Sequence, residues 1–351
     1  MKRFLSMMLA SVMILSLVAC GAKEEEKAPA TSAPAKTEAP AEPAVEPVTI
    51  RFATNKSDGE VMCDGYRAFE EYVEKESGGS IQVDIYYNST LYTDTDMIMA
   101  MSTGNCEMGI AGSDKAGVYI PSINCLSMGY LFTSADHLMK VVNGDIGKHF
   151  NDLLVDAIGV RYAGGYYNGS RTVNLRMDKE ITCVADLNGV QLRMPSSEAY
   201  VNLGKAMGSN PIAMALGEVY TALQNGTVDG QDNPLPTILT EKYYEVTESI
   251  TMTGHILGDN SVYIADAFYQ ALSDEQKKIV DDGVMMMCEM VTDIILDQES
   301  TAIAELEGYG ITVYQPDMTK MREEVISWYY DNPEVMSEWD LDILDQIMAL
   351  G

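Results

Sequence analysis

The chain has 351 residues and a formal net charge of −30 at pH 7, with 53 acidic side chains against 23 Lys and Arg. Such an acidic surface repels a phosphate backbone, and no Lys/Arg block compensates, so we expect no nucleic-acid partner. The overall field also opposes anions, so an anion site would require cations placed locally.

The N-terminus is typical of an export signal. Residues 1–3 supply positive charge, and 4–18 form an apolar run too short to span a bilayer comfortably. The run ends in Leu-Val-Ala-Cys, and a Cys after small residues resembles a bacterial lipobox. We therefore predict a lipoprotein signal peptide at 1–19 and a lipid on Cys20 that anchors the chain outside the bacterial cell membrane. The alternative is an ordinary signal peptide with an incidental Cys.

The segment behind Cys20 has a different composition from the rest. Residues 20–46 contain mainly Ala, Pro, Glu, Lys, Thr and Ser without periodicity, which predicts a disordered tether. No later stretch approaches the roughly 18 apolar residues of a membrane span. The remaining length exceeds one ordinary hydrophobic core, so we expect two domains.

The first part of the chain alternates strands and helices, and its order β-α-β-α-β predicts a parallel sheet with right-handed crossovers. In chain order the predicted elements are strand 48–54, helix 59–76, strand 81–87, helix 94–102, strand 108–112, helices 134–142 and 145–157, strand 159–164 and a loop or crossing at 165–171.

The second part contains a long helix that begins with a capping box at 273–276. At about 1.5 Å per residue, a helix from there to residue 307 is longer than one small domain, so we expect it to lie across both. The other predicted elements are strands 172–175 and 190–194, a helix capped by Ser196 or Ser197, helices 217–225 and 236–244, strands 250–254, 261–265 and 311–314, and two terminal helices.

Residues 189–234 contain the sharpest candidate for a binding residue. Apolar and polar side chains alternate over 190–194, which is the period of a half-buried strand, and Pro195 ends it because proline has no N–H to donate. Ligands of α/β units collect at the carboxyl ends of strands. Arg193 lies at such an end, so it is a candidate anion receptor; the alternative is an ordinary structural ion pair.

Asn233 is the second candidate in this region. It lies in 228–234, which is rich in turn-forming residues and is explained equally well as a turn. If the strand ending there pairs with the strand of Arg193, the amide and the guanidinium lie close together.

Enzyme and metal motifs are missing from the sequence. There is no G-x-S-x-G, P-loop or G-x-G-x-x-G, and His137, His149 and His255 form no closely spaced pair. The cysteines after Cys20 show no C-x-x-C and no zinc spacing; no disulfide framework is predicted, although one pair stays open. We expect no catalytic residue, no metal and no cofactor.

Three motifs resemble one transporter family. Leu-Arg-Met-Pro at 192–195, Gly-Glu-Val-Tyr-Thr-Ala-Leu-Gln-Asn-Gly at 217–226 and Val-Asp-Gly-Gln-Asp-Asn-Pro at 228–234 are similar to the signature of DctP-type substrate-binding proteins of tripartite ATP-independent periplasmic (TRAP) transporters. The similarity extends over the chain after the tether, including 253–260 and 271–280. Their order and spacing make these motifs more specific than a lone glycine pattern.

The resemblance implies an α/β fold: a two-domain, periplasmic-binding-protein-like clamshell, each lobe a mixed, mostly parallel sheet flanked by helices, with a long helix spanning both lobes. We expect lobe I at 47–168 plus 259–298 and lobe II at 169–258 plus 299–351. The implied function is an extracytoplasmic, monomeric receptor that captures an organic acid by its carboxylate. It would deliver the acid to the membrane subunits of an ion-coupled TRAP transporter.

The resemblance also implies ligand-binding residues. Arg193 matches the family arginine that clamps the ligand carboxylate. Arg171 resembles a second family arginine, in a G-x-R loop, with a slightly longer spacing. Asn233 matches the family amide in the Gln-Glu/Asp-Asn-Pro motif.

Three further positions follow from the same resemblance. Asn55 is a polar residue expected to face the cleft after the first strand, and Asp94 lies where some members contact ligand. Leu216 stands where the family often has an aromatic residue that lines the ligand. Because of that difference, the sequence does not determine whether the bound acid is a dicarboxylate, a keto acid or a sugar acid.

Two other classes of function stay open at this stage. A binding lipoprotein for an ATP-driven importer or a sensor kinase would use the same closing motion of two lobes, and neighbouring genes would distinguish it. An exported enzyme would convert its ligand chemically, whereas a receptor would release it unchanged.

Overall fold

The structure, a computed structural model, describes residues 47–351. The predicted signal peptide at 1–19, the lipid on Cys20 and the tether at 20–46 lie outside the described residues. Within 47–351, no helix combines the length and the apolar character needed to cross a membrane.

A mixed sheet of ten strands runs through the described residues. The strands are Val48–Thr54 (β1), Ile81–Tyr86 (β2), Met108–Ala111 (β3), Val160–Leu175 (β4), Gln191–Met194 (β5), Asn210–Ala213 (β6), Gly230–Pro234 (β7), Ser249–Thr251 (β8), Leu257–Ala265 (β9) and Thr312–Tyr314 (β10). β1 pairs in parallel with β2 and β3, which confirms the parallel arrangement predicted for the first strands. β9 runs antiparallel to β3 and β4.

The sheet continues on the other side of β4. β7 and β8 pair antiparallel with its C-terminal part, and β10 pairs in parallel with β8. β5 pairs in parallel with both β7 and β6. The carboxyl ends of β5 and β7 therefore meet at one edge, where Arg193 and Asn233 are located.

Helices flank the sheet. They are Cys63–Glu76 (α1), Met97–Ser102 (α2), Ser113–Ala116 (α3), Ala135–Val142 (α4), Asp145–Ile158 (α5), Glu198–Ala206 (α6), Val219–Asn225 (α7), Leu235–Thr240 (α8), Asp266–Ala271 (α9), Asp274–Gly308 (α10), Thr319–Asp331 (α11) and Leu341–Leu350 (α12). The helix predicted at 236–244 is shorter: α8 ends at Thr240, and a separate 3₁₀ turn follows at Tyr243–Glu245. Lys242 between them has φ +54°, a left-handed conformation that ends a helix.

β4 excludes the loop that was one of the two alternatives predicted for 165–171. It is one strand of 16 residues, because β9 pairs with its first part and β7 and β8 with its last. The glycines that suggested a loop instead allow an irregular strand. Gly169, at a register shift, has φ +108°, and a Cβ there would lie 2.6 Å from the Cβ of Pro234.

α10 connects two clusters of buried apolar side chains. Its first half contributes Val284 and Met287 to the larger cluster, which also holds Phe52 of β1. Its second half contributes Ala302 and Leu306 to a smaller cluster with α7 and α8. The helix has 35 residues, so one rigid element spans both clusters, as expected from its predicted length.

The predicted capping box begins α10. The Ser273 hydroxyl accepts a hydrogen bond from Gln276 N at 3.2 Å, and the Gln276 amide oxygen accepts one from Ser273 N at 3.1 Å. We expect Ser273→Ala to lower the free energy of unfolding by about 1 kcal/mol, measured by urea denaturation. Ser300→Ala, an exposed position within the same helix, is the control and should change it less. Equal effects of the two substitutions would contradict the capping role.

Candidate functional site

One cavity has all six of the predicted ligand-binding residues on its walls. Its volume is about 70 Å³, and the six are Asn55, Asp94, Arg171, Arg193, Leu216 and Asn233. A wider cavity of about 280 Å³ adjoins it and shares three of them, Asn55, Asp94 and Leu216. The smaller cavity lies where the carboxyl ends of β1 and β3 face those of β5 and β7.

Arg193 is held from one side of its guanidinium. Nε and Nη2 both donate to the carbonyl oxygen of Met214, at 3.0 and 2.7 Å. Nη1 has no hydrogen-bond partner in the described part of the chain, although the residue is only 3% exposed. The free N–H groups of Nη1 and Nη2 form a fork that matches the two oxygens of a carboxylate.

The environment of Arg193 favours an anion. Burial lowers the pKa of its guanidinium, while the charge of Asp232 opposes that shift. Arginine nevertheless stays protonated in proteins, so the site contains a buried cation whose direct partner is a backbone carbonyl. A bound anion would supply the missing counter-charge in a low-dielectric setting, where each charge-assisted hydrogen bond is strong.

Arg171 differs from Arg193 because it already has a counter-ion. Its Nε donates to Asp232 Oδ2 at 2.6 Å, and its Nη2 donates to Asp232 Oδ1 at 3.1 Å. The guanidinium carbon also lies 5.1 Å from the centre of the Tyr200 ring, a cation–π contact. Burial alone would raise the pKa of Asp232, but the charge of Arg171 and hydrogen bonds from His255 and Arg171 hold it well below its usual range.

Asn233 supports Arg171 from the neighbouring strand. Its Oδ1 accepts from Arg171 Nη2 at 3.3 Å, and its Nδ2 donates to Gln231 Oε1 at 2.6 Å. Asn233 therefore orients one arginine and also lies on the cavity wall. Its predicted contact with a ligand stays a prediction.

The segments that follow the carboxyl ends of β1 and β3 form one wall of the cavity. This wall contains charged residues that were not predicted from the sequence. Lys115 Nζ lies 3.1 Å from Asp114 Oδ2 and 3.7 Å from Asp94 Oδ2, and it donates to the carbonyl oxygen of Ser196 at 3.0 Å. Asn55 Nδ2 donates to Asp94 at 3.4 Å. The cavity-lining polar residues missing from the prediction are Lys56, Asp114, Lys115, Asn168, Tyr200, Asp259 and Asn260.

A sequence signal existed for part of that group. Asp114 and Lys115 come directly after the carboxyl end of β3, the same kind of position that drew attention to Arg193. Asp259 and Asn260 come just before the apolar end of β9 at 262–265. Asn168 and Tyr200 had no such signal, because only the pairing of distant elements brings them to the cavity.

Thr253, His255 and Asp232 are arranged like a relay of hydroxyl, imidazole and carboxylate. His255 Nδ1 lies 2.7 Å from Thr253 Oγ1, and its Nε2 lies 3.3 Å from Asp232 Oδ2. All three are buried and none lines the cavity. A nucleophile must reach its substrate, so we assign this group a structural role in holding Asp232.

Residues 47–351 contain no group of three His, Cys, Asp or Glu side chains placed to hold a metal ion. The cysteines in that range, Cys63, Cys106, Cys125, Cys183 and Cys288, are free thiols. The cavity offers a guanidinium fork together with hydrogen-bonding groups, an arrangement suited to binding an anion.

Comparison with known proteins identifies the family. The family model for bacterial extracellular solute-binding protein, family 7 (DctP), matches residues 52–333. The chain belongs to this family. The resemblance found in the sequence motifs is therefore confirmed, and the chain is an extracytoplasmic solute-binding protein rather than an enzyme.

Individual relatives are similar over most of their length. The sialic acid-binding periplasmic protein SiaP of Vibrio cholerae is 30% identical over 281 residues, 80% of this chain and 87% of that protein. The C4-dicarboxylate-binding periplasmic protein DctP of Rhodobacter capsulatus is 27% identical over 290 residues, 82% of this chain and 86% of that protein.

Solved structures confirm the predicted α/β, periplasmic-binding-protein-like fold. A TRAP periplasmic solute-binding protein from Roseobacter denitrificans, with bound 3-deoxy-D-manno-oct-2-ulosonic acid, is 34% identical with a TM-score of 0.83. That match covers 87% of this chain and 100% of the other.

Proposed function

We propose that this protein captures an organic acid by its carboxylate at Arg193 and delivers it to the membrane subunits of an ion-coupled TRAP transporter. The observation that carries the proposal is the buried Arg193 guanidinium, whose Nη1 lacks a hydrogen-bond partner among the described residues and which lines the cavity. Arg171 and Asn233 lie on the adjacent strands β4 and β7. They would either contact the same acid or hold other residues of the cavity wall in place.

The relatives support an acid as the ligand without fixing its type. The V. cholerae relative is named for sialic acid, the R. denitrificans structure holds 3-deoxy-D-manno-oct-2-ulosonic acid, and the R. capsulatus relative is named for C4-dicarboxylates. All of these carry a carboxylate, which is the group that a guanidinium fork recognises.

We also propose that the ligand is enclosed by two lobes, 47–168 plus 259–298 and 169–258 plus 299–351. Hydrogen bonds join the two proposed lobes near the cavity: Lys115 Nζ donates to the Ser196 carbonyl at 3.0 Å, and the Ser57 hydroxyl donates to Glu241 Oε1 at 3.1 Å. A ligand that contacts both lobes would shift the equilibrium toward the closed form, which the transporter would recognise. The receptor would act as a monomer, held at the membrane by the lipid on Cys20.

Native mass spectrometry of the purified protein tests the proposal. We expect a retained small acid, released chemically unchanged on denaturation, because a receptor binds without turnover. The same preparation of Arg193→Ala should lack it. A retained ligand without an acidic group, or equal retention by both proteins, would contradict the proposal.

A further inference from the structure

We infer that Asn188 is a site of spontaneous deamidation, at which the chain loses ammonia through a succinimide and Asn188 becomes aspartate or isoaspartate. Glycine after an asparagine hinders this reaction least, because it has no side chain beside the attacking nitrogen. The sequence contains four Asn-Gly pairs, at 143–144, 168–169, 188–189 and 225–226. The sequence motif does not distinguish them, whereas the structure does. This chemistry is independent of the proposed function.

The reaction requires a free backbone nitrogen and a side chain that can reach it. Gly189 N attacks Asn188 Cγ, and the new N–Cγ bond replaces the Cγ–Nδ2 bond. The side-chain amide leaves as ammonia and carries away the hydrogen of the Gly189 N–H. Water then opens the ring at either carbonyl, which gives aspartate or, with the backbone rerouted through Cγ, isoaspartate. A pair in which other groups hold the N–H or the side chain must first break those contacts.

Asn188 and Gly189 occupy the two central positions of a type II β-turn. Asn188 has φ −59° and ψ 125°, and Gly189 has φ +80°, which are the values of that turn. Val190 N closes the turn by donating to the Leu187 carbonyl at 3.0 Å. Within the described residues, the Gly189 N–H donates to no backbone carbonyl. The attacking nitrogen is therefore available.

The turn also allows the rotation that ring closure requires. Asn188 and Gly189 are both exposed, and the space into which a Cβ of Gly189 would point is open. Type I and type II turns differ by a flip of the central peptide, which changes ψ of the first central residue and φ of the second together. Such a flip keeps the hydrogen bond of Val190, so ψ of Asn188 can rotate without unfolding its neighbours.

Asn225 and Gly226 form the matched comparison, because they are also exposed. Asn225 is the last residue of α7, and Gly226, with φ +74°, ends the helix. The Gly226 N–H donates to the Leu223 carbonyl at 3.1 Å. Arg176 covers this glycine, since a Cβ added there would lie 2.9 Å from Arg176 Nη1. The nitrogen of this pair is occupied, so the end of α7 must open before the ring can close.

The other two pairs are held against β4. Asn143 Nδ2 donates to the Gly165 carbonyl at 2.9 Å, and its Oδ1 accepts from Gly165 N at 2.8 Å, so both ends of the amide are bound. Asn168 is buried within β4, where Gly169 pairs with Gly258 of β9. Ring closure at either asparagine would have to break these contacts first.

The products would change the segment that leads into β5. Aspartate adds a negative charge, and isoaspartate adds a methylene group to the backbone. Both changes fall just before β5, whose carboxyl end carries Arg193. Aged protein should therefore contain a more acidic species that ion-exchange chromatography separates from fresh protein.

The test is peptide mapping by mass spectrometry after the purified protein has been incubated in a mildly alkaline buffer. Each deamidation exchanges an NH group for oxygen, so the peptide that contains the site becomes heavier. We expect Asn188 to react at least about tenfold faster than Asn225, a factor that corresponds to about 1.4 kcal/mol for opening the helix end. Asn143 and Asn168 should also react at least about tenfold more slowly than Asn188.

Two controls separate the effect of the fold from that of the sequence. The same protein unfolded in urea loses the hydrogen bonds of all four pairs, so their rates should become similar. Asn188→Gln keeps an amide at the exposed turn but would have to close a larger ring. The native protein with this substitution should lack the main acidic species of aged wild type.

Three results would overturn the inference. The first is an Asn188 that stays intact in the native protein. The second is native deamidation at another Asn-Gly pair as fast as at Asn188. The third is a ranking of the four pairs that is unchanged in urea, because the fold would then not be its cause.

Discussion

Arg193→Ala is expected to weaken binding of the acid by about 2–5 kcal/mol, as for truncation of one partner of a buried charge pair. The reason is geometric as well as electrostatic. Arg193 reaches the cavity with a buried Nη1 that lacks a hydrogen-bond partner in the described residues, and its position is fixed by the Met214 carbonyl. Calorimetric titration of both proteins with the retained ligand measures the difference directly.

The same substitution should change folding stability much less than binding. The alanine removes two hydrogen bonds to Met214 but also removes a buried cation that has no carboxylate partner of its own. Arg193→Lys should fall between wild type and Arg193→Ala in affinity, because an ammonium keeps the charge and loses the fork. Arg67→Ala, an exposed arginine paired with Asp58 and Asp64, is the matched control. Wild-type affinity in Arg193→Ala would exclude the arginine as the anchor.

Much of this site could be predicted because its determinants are local in the sequence. Apolar alternation over 190–194 and the following Pro195 place Arg193 at a strand end, and β5 ends at Met194 as predicted. The neighbouring position of Asn233 required only the pairing of β5 with β7. The order of the helices and strands could be predicted from hydrophobic periodicity and capping signals alone. The capping box at Ser273 lies where it was predicted.

The sequence-based predictions fail where the structure of a segment depends on pairing with a strand that is distant in the sequence. The segment at 165–171 has the glycines and polar residues of a loop, but β9, more than 80 residues away, turns it into a strand. The partner of Arg171 is another example: 228–234 has the composition of a turn, and its central Asp232 becomes a buried counter-ion only because β7 pairs with β4.

Two cavity-lining residues that the sequence did not predict have the same origin. Asn168 and Tyr200 lie on different elements, and neither has an unusual sequence context. Whether such a side chain reaches the cavity depends on how distant elements pair and pack, which no local pattern records. Sequence reasoning therefore predicted one candidate anchor for the ligand, Arg193, and left the rest of the cavity wall undetermined.

Asp232→Asn is expected to lower the free energy of unfolding by about 3–5 kcal/mol at pH 7, because it leaves Arg171 buried without its counter-ion. Asp232 is fully buried and also accepts from His255, so neither partner can move to solvent without opening the core. Urea denaturation followed by circular dichroism measures the change. Asp297→Asn, on an exposed part of α10, makes the same chemical change and should alter the free energy of unfolding little.

The pH dependence separates loss of the ion pair from a loss of packing. The pKa of Asp232 is held below its usual range in the folded protein, so its ion pair contributes fully above the unfolded-state pKa of about 3.9 and less as the pH falls toward the folded-state value. The difference in stability between wild type and Asp232→Asn should therefore be constant from pH 7 to about pH 5 and shrink below about pH 4. A difference that stays constant down to pH 3 would mean that the asparagine destabilises the core by shape or hydrogen bonding, and that the charge of Asp232 contributes little.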